Sequence, residues 1–427
     1  MFSLPESLHT LKNRNYQKIF SASLTSNVGS WVETVVIGIF VQQLTGSASL
    51  VGIVFAMRYG SNVFISPFGG WCADRFNRKR LLMLTNFISS LIAISIGILV
   101  SHGSVKYWML IFFVGTTGIM DAIGHPTYQA FLSELVPKKI YSGAMSLMFS
   151  QWNMARIIGP AIAALLVRND NYEFAFYVNA VSFWAVIITL FSIRSLPHKR
   201  DTGIKTTWVD GLNWVFKEQK LARVVATHSA SVFFAGGLIA VIPNVADEVF
   251  HSRVFGTSML NISMAIGAIL ITIFYTTIAN KYGKNKTLAI LARFVPLTVL
   301  AFGFAPNLLI GCLVIAFFGI THMGTLTGII TEIQLLAPPD LKGKVSSVFS
   351  AILGTFLLLA TLTYGYLIDA FDARFAFSVI AIGHVTVQLV IGLYSHKWGI
   401  RATYNIIEDD VKVVVPEVED ISPLIDL

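Results

Sequence analysis

The chain has 427 residues, of which 55% are hydrophobic and only 13% are charged, and its formal net charge is +8. Soluble domains carry about 25% charged residues, so this composition excludes an ordinary soluble domain and makes the bilayer the solvent for most of the chain. The Lys and Arg residues lie in short loops between apolar runs, a pattern that membrane orientation explains, which argues against a nucleic-acid-binding protein.

Long apolar segments follow one another from the N-terminus onward. A membrane-spanning helix needs about 20 mostly apolar residues. This length predicts an all-α integral membrane protein whose first segment is retained as an anchor, because no cleavable signal peptide precedes it. The twelve predicted transmembrane helices cover 16–43, 48–73, 80–101, 105–133, 140–167, 173–196, 222–247, 255–280, 287–305, 307–335, 344–369 and 374–400.

Loop charge predicts the orientation of these helices. If the N-terminus is inside, nearly all loop cations are cytoplasmic, and the opposite side keeps only Lys106, Arg168, Arg253 and Arg374. Because cytoplasmic loops carry the excess of Lys and Arg, we expect both termini in the cytoplasm.

The longest stretch between predicted helices, 197–221, divides them six and six. Trp208, Leu212 and Val215 recur at helical spacing, which predicts an amphipathic helix on the cytoplasmic membrane surface. The predicted organisation is an N-terminal bundle at 1–196, the linker at 197–221, a C-terminal bundle at 222–400 and a flexible acidic tail at 401–427.

The two halves share a loop pattern. Segments 74–80 and 280–286 both follow an apolar helix and carry cations at their second, fifth and seventh positions. Asn77 and Gly283 occupy the fourth position, and both residue types tolerate the left-handed backbone of a tight turn. Repeated six-helix halves with a binding site between them are a recurring transporter plan. The alternative is that positively charged loops recur by chance under the orientation rule.

Segment 70–80 resembles the loop signature of the major facilitator superfamily, G-x-x-x-D-R-x-G-R-[RK]-[RK], with Asn77 in place of the usual Gly. Further segments resemble the branch that contains the enterobactin exporter and macrolide-efflux proteins; they are 26–31, 44–47, 121–129, 134–137 and 155–160. The resemblance implies the major facilitator fold of two pseudo-symmetric six-helix bundles in a bacterial cytoplasmic (inner) membrane.

The resemblance also implies roles for two motifs. In the family, the acid matching Asp74 bonds to the start of span eleven and holds the cytoplasmic side shut; here the gating motif comprises Gly70, Asp74, Arg75, Arg78 and Gly283. The alternative is a simple cytoplasmic anchor. Span five resembles the antiporter motif around Gly159 and Pro160, where Pro160 is expected to kink the helix.

Charges inside a membrane span are costly, so each is a candidate functional residue. Stripes of small and polar residues on spans one, two, four and five predict a cavity for substrate and protons. The candidates on these stripes are Glu33, Arg58, Asn62, Asp121, His125, Asn153 and Arg156.

Glu33 and Asp121 are the proton-site candidates, because a poorly hydrated cavity favours the neutral form of a carboxyl group. Arg58 and Arg156 are their possible partners. A fixed ion pair that only neutralises two buried charges is the alternative. His125 could relay protons or simply form a hydrogen bond.

These features predict a secondary transporter that exports a bulky amphipathic organic molecule, a drug or a siderophore, by alternating access coupled to protons. An importer of a siderophore or related ligand with the same fold remains open. No motif of a hydrolase, metalloprotease or phosphate-binding enzyme occurs, so an enzyme or receptor is disfavoured. Cys72 and Cys312 lack metal-site spacing, and we expect no metal or cofactor, no nucleic-acid partner and a monomer in the lipid bilayer.

Overall fold

The computed structural model describes residues 10–137, 140–167, 170–193, 212–215, 219–336 and 342–397. A short 3-10 turn precedes six long helices in the N-terminal half: α1 (Arg14–Thr45), α2 (Ala48–Arg75), α3 (Arg78–Ser101), α4 (Tyr107–Leu135), α5 (Tyr141–Leu166) and α6 (Glu173–Ser192). The C-terminal half contains α7a (Gln219–Gly236), α7b (Leu238–Glu248), α8 (Arg253–Tyr282), α9 (Lys284–Gly303), α10 (Leu308–Leu336), α11 (Lys342–Ala370) and α12 (Ala373–Lys397).

These helices confirm the all-α membrane fold. In the described part of the chain, 11 helical segments are long and apolar enough to cross a membrane, with α7a and α7b forming one of them. The remaining helix, α5, spans 26 residues and includes the polar run from Gln151 to Asn153 and Arg156. The twelve predicted spans therefore correspond to α1–α12.

Local sequence signals determine where the helices begin and end. Asn13 accepts hydrogen bonds from the backbone N–H groups of Asn15 and Tyr16 at 3.1 Å, which caps α1. Gly46 closes the same helix with a left-handed φ of 63°. Ser47 then caps α2.

The two repeated loops turn by different means. Gly283 has a φ of 91°, as its predicted left-handed tolerance allows. The same expectation is wrong for Asn77, whose φ is −63°. Its side chain instead accepts a hydrogen bond from the N–H of Arg80 and caps α3, an interaction that glycine cannot make.

Helix packing repeats between the two halves. In the N-terminal half α2 packs on α4, α3 on α6 and α1 on α5; in the C-terminal half α8 packs on α10, α9 on α12 and α7a on α11. Across the boundary α2 packs on α11 and α5 on α8. Shifting every helix number by six exchanges these pairs, which is the pattern expected for two pseudo-symmetric bundles.

Hydrogen bonds join the two bundles at the end where α1 leads into α2. Both carboxylate oxygens of Asp369, at the end of α11, accept from the Ser47 hydroxyl (2.5 Å) and from the N–H groups of Ala48 (2.7 Å) and Ser49 (2.9 Å). An acid of one bundle thus caps a helix of the other, where the helix dipole favours negative charge.

A second contact lies at the same end. The side-chain amide of Gln42 donates to Glu248 at 3.0 Å and accepts from Asn244 of α7b. By the predicted orientation, this end is the non-cytoplasmic one.

Part of the predicted linker helix is described. Residues 212–215 are helical, and Val215 is fully buried against Val224, Ile329 and Val345. These residues pack on the C-terminal bundle because α7a, α10 and α11 present apolar side chains to them, and the location of the whole helix on the membrane surface stays a prediction. Trp208, most of the linker and the acidic tail lie outside the described residues.

Candidate functional site

A cavity of about 470 Å³ lies between the two bundles, about halfway along the helices. Most of its wall comes from the N-terminal bundle, and α7b, α10 and α11 contribute Ile239, Met323 and Leu357. The predicted residues that line it are Arg58, Asn62, Asp121, His125, Asn153 and Arg156. Six of the seven candidates from the sequence are thus brought together on one wall.

Arg58 and Asp121 form an ion pair on this wall. Nη2 of Arg58 donates to the Asp121 carboxylate at 2.9 Å, its Nε donates at 3.2 Å, and its Nη1 donates to the Thr34 hydroxyl at 2.9 Å. Gly118 lies one turn before Asp121, and a Cβ there would lie 2.6 Å from the Arg58 carbonyl oxygen. The close approach of α2 and α4 at this glycine places the two charges within bonding distance.

Glu33 lies behind the wall, inside the N-terminal bundle. Only 3% of its surface is exposed, and its carboxylate accepts a hydrogen bond from the Asn179 amide of α6. Arg58 and Asp121 are close enough to interact with it electrostatically. The sequence stripe predicted that Glu33 would face the cavity, whereas the rotation of α1 turns it toward α6.

Arg156 is held differently from Arg58. Its guanidinium lies 5.0 Å from the centre of the Trp31 ring, a cation–π contact. A Cβ at Gly159 would lie 2.4 Å from the Trp31 Cβ, so this glycine lets α5 approach α1. Pro160 lies inside an α5 that continues to Leu166.

His125 packs edge-on against Trp152, with ring centres 5.3 Å apart. Both residues also line a smaller pocket of about 110 Å³ inside the N-terminal bundle. This pocket shares Asn27, Ser30 and Asp121 with the central cavity, so the two spaces adjoin at polar side chains.

The predicted gating motif lies away from the cavity. Arg78 bonds Glu134 at the end of α4 at 2.7 Å and lies 3.9 Å from Asp74, whose side chain is 75% exposed. Arg75 packs over Trp71 at 5.2 Å, and a Cβ at Gly70 would meet no atom within 4 Å. The side chains that begin α11 lie outside the described set, so the bond from Asp74 to that helix stays a prediction.

The sequence patterns did not predict the aromatic lining of the cavity or a set of buried histidines. Trp31 and Tyr59 line the cavity, and His228, His322 and His384 lie buried in the C-terminal bundle. The histidines could have been found by the rule that ionisable residues inside membrane spans are functional candidates. It was applied to His125 in the N-terminal half, but not to the histidines of the C-terminal half.

A family model and several known proteins match most of the chain in sequence. Residues 6–404 match the family model described as transmembrane secretion effector. The staphyloferrin A transporter of Staphylococcus aureus is 24% identical over 88% of this chain and 96% of its own length. Multidrug resistance protein 2 of Bacillus subtilis is 23% identical over 74% of this chain and 83% of its own length.

Solved structures of transporters share the fold. A D-xylose-proton symporter superposes with a TM-score of 0.71 at 14% identity and covers 90% of this chain and 98% of its own. The nucleoside transporter NupG superposes with a TM-score of 0.68 at 14% identity, covering 89% and 98%. The family match, the transporter relatives and the two-bundle fold lead to one conclusion: the chain belongs to the transmembrane secretion effector family, which is a family of major facilitator superfamily transporters and not of enzymes.

Proposed function

We propose that this chain is a proton-coupled exporter of a bulky, amphipathic organic molecule. It works by alternating access, as a monomer in the bacterial cytoplasmic membrane with both termini inside. The observation that carries the proposal is the Arg58–Asp121 pair on the wall of a cavity between two bundles.

The pair can couple protons to substrate. The exposed fractions of its side chains are 18% for Arg58 and 28% for Asp121, so a proton or a ligand in the cavity can reach the carboxylate. Protonation of Asp121 releases Arg58, and the neighbouring Glu33 then becomes the acid that can balance it. The proton thus changes the acid that balances Arg58, and the charge distribution of the cavity then differs between substrate loading and release.

Two observations support an organic cargo and export. The cavity combines Trp31, Phe55 and Tyr59 with hydrogen-bonding groups, which suits an amphipathic molecule. The family model is described as a secretion effector, and relatives are named for multidrug resistance and for staphyloferrin A. On that basis we propose that this chain exports a drug or a siderophore.

Purified protein in liposomes tests both cargo and direction of coupling. We expect staphyloferrin A or the dye rhodamine 6G to accumulate inside when the lumen is acidic, because a proton leaving the lumen drives an antiporter. Accumulation driven only by acid outside would identify a symporter and contradict export. No accumulation under either gradient would contradict the proposed cargo class.

Glu33→Gln is the matched test of proton coupling. The glutamine keeps the shape and can still accept from Asn179, so the fold is expected to persist. Exchange of labelled for unlabelled substrate should continue without a gradient, whereas accumulation driven by the pH gradient should fall at least tenfold. Glu173→Gln, at the start of α6, is the control and should behave like the unmodified chain.

A further inference from the structure

The cavity contains one arginine whose charge no described carboxylate balances. Arg58 is neutralised by Asp121, and Glu33 interacts with this same pair. Arg156 contacts the Trp31 ring, and within the described ranges no acid forms an ion pair with it. A cation at mid-membrane depth is costly without a counter-charge, so this position is suited to a negative charge that the ligand brings.

One buried histidine of the C-terminal bundle, His322, lies within electrostatic range of Arg156. His322 of α10 precedes Met323, which lines the cavity, and Arg156, His228 and His384 are within electrostatic range of it. His322 is 5% exposed, and its Nδ1 has no hydrogen-bond partner among the residues that the structure describes. A buried nitrogen without a partner is unfavourable unless a ligand or water completes it.

Aromatic rings fix the histidines in place. The His322 ring stacks on Phe318 with centres 5.1 Å apart, and the His384 ring stacks on Phe234 at 5.4 Å. Nε2 of His384 lies 3.0 Å from the Gln388 amide, whereas its Nδ1, like that of His228, is unpartnered within the described part of the chain. The imidazoles are therefore oriented before any ligand arrives, which lowers the cost of binding.

We propose that Arg156 and His322 form an anion subsite that takes a carboxylate of the transported molecule and bridges the two bundles. This assignment rests on the proposed function and adds a specific contact for amphipathic organic anions within its substrate class. Arg156 supplies paired N–H donors that match a carboxylate, and Trp31 and Tyr59 offer apolar surface beside it. The His322 imidazole, adjacent in the chain to the lining residue Met323, supplies the donor from the other bundle in this proposal. A ligand held by both bundles favours the arrangement in which they lie close together.

Two dyes with the same ring system test the subsite. Carboxyfluorescein is an anion and rhodamine 6G is a cation, and fluorescence anisotropy measures the binding of either to the purified full chain. We expect Arg156→Gln to weaken carboxyfluorescein binding at least tenfold and His322→Gln to weaken it about threefold, while rhodamine 6G binding stays within twofold. Arg156→Lys should retain part of the affinity, and Arg293→Gln, a matched arginine on α9 outside the cavity lining, should change nothing.

Asn153→Asp keeps the test valid if Arg156→Gln does not fold. Asn153 lies one turn before Arg156 and also lines the cavity, so an aspartate there supplies an internal counter-charge and should abolish carboxyfluorescein binding. Unchanged carboxyfluorescein affinity in both variants, equal loss of both dyes, or no carboxyfluorescein binding by the unmodified chain would overturn the subsite. A selective loss of carboxyfluorescein binding in these variants, together with no gradient-driven transport by the unmodified chain, would uphold the subsite and contradict the proposed function.

Discussion

Arg58 and Arg156 lie on one cavity wall, yet they are stabilised in different ways. Arg58 has a carboxylate and a hydroxyl within 2.9 Å, whereas Arg156 has the face of an indole. Ion pairing removes most of the cost of a charge in the membrane, and a cation–π contact removes only part of it. The same residue type therefore has a carboxylate partner at one position and only an aromatic partner at the other.

Removal of one partner of the pair should destabilise the chain. Loss of one member of a buried pair costs about 3–5 kcal/mol, and less is expected here because exposures of 18% and 28% leave the pair partly hydrated. We expect Asp121→Asn to lower the melting temperature and the double variant Arg58→Gln/Asp121→Asn to recover at least half of the loss. Thermal unfolding in detergent measures both; equal melting temperatures for the single variant and the unmodified chain would contradict a stabilising pair.

At the scale of helices, α2 and α11 bring the bundles together through polar contacts at one end. Asp369 caps α2 from α11, and Gln42 of α1 bonds Glu248 and Asn244 of α7b. These hydrogen bonds supplement the packing of α2 on α11 and can be exchanged for water. A closure of this kind is strong enough to hold one state and weak enough to open during transport.

Asp369→Ala should open the non-cytoplasmic end. A helix cap contributes about 1 kcal/mol, and this one joins two bundles, so its loss should raise access to the cavity roughly fivefold. The readout is the labelling rate of Asn62→Cys by an impermeant maleimide added outside, in a chain with Cys72 and Cys312 replaced by serine.

Asp372→Ala is the matched control for that experiment. Asp372 accepts a hydrogen bond from the N–H of Phe375 at 2.7 Å, so it caps α12 within one bundle. Its loss should leave the labelling rate unchanged. Equal rates for the two aspartate variants would contradict a gate at Asp369.

At the scale of the whole molecule, the packing repeat makes the N- and C-terminal bundles equivalent under a six-helix shift. The cavity wall does not follow this equivalence. Arg58, Asp121 and Arg156 are on the N-terminal side, and the described C-terminal lining consists of Ile239, Met323 and Leu357, with His322 beside them. A pseudo-symmetric scaffold thus encloses an asymmetric site, with the charged groups in the lining of one half and apolar side chains in the lining of the other.

The topology can be tested on the whole chain. In intact cells an impermeant maleimide should label Ser104→Cys and Asn307→Cys but not Asn77→Cys or Gly283→Cys, because positive loops stay inside. Permeabilised cells should label all four positions. Labelling of the Asn77 position in intact cells would contradict the predicted orientation.

Several features were predictable because they depend on local sequence. Segment length and hydropathy predicted the helices to within a few residues, and the positively charged loops marked the internal repeat. The cavity residues on α2, α4 and α5 were predicted because polar residues in a lipid-facing stripe would be too costly. Glu33 differs, since a stripe along α1 does not determine whether it faces the cavity or α6.

By itself the sequence determined the membrane fold, its two halves and the set of polar residues that had to avoid lipid. Each of these depends on the free-energy cost of exposing polar groups to the bilayer, which is set by the residues of the segment itself. Only the tertiary structure decided which charges meet. The pairing of Arg58 with Asp121, the turn of Glu33 toward Asn179 and the contact of Arg156 with Trp31 depend on how far glycines let helices approach and how each helix is rotated. Contacts between residues distant in the chain set those distances and rotations, so no local pattern contains them.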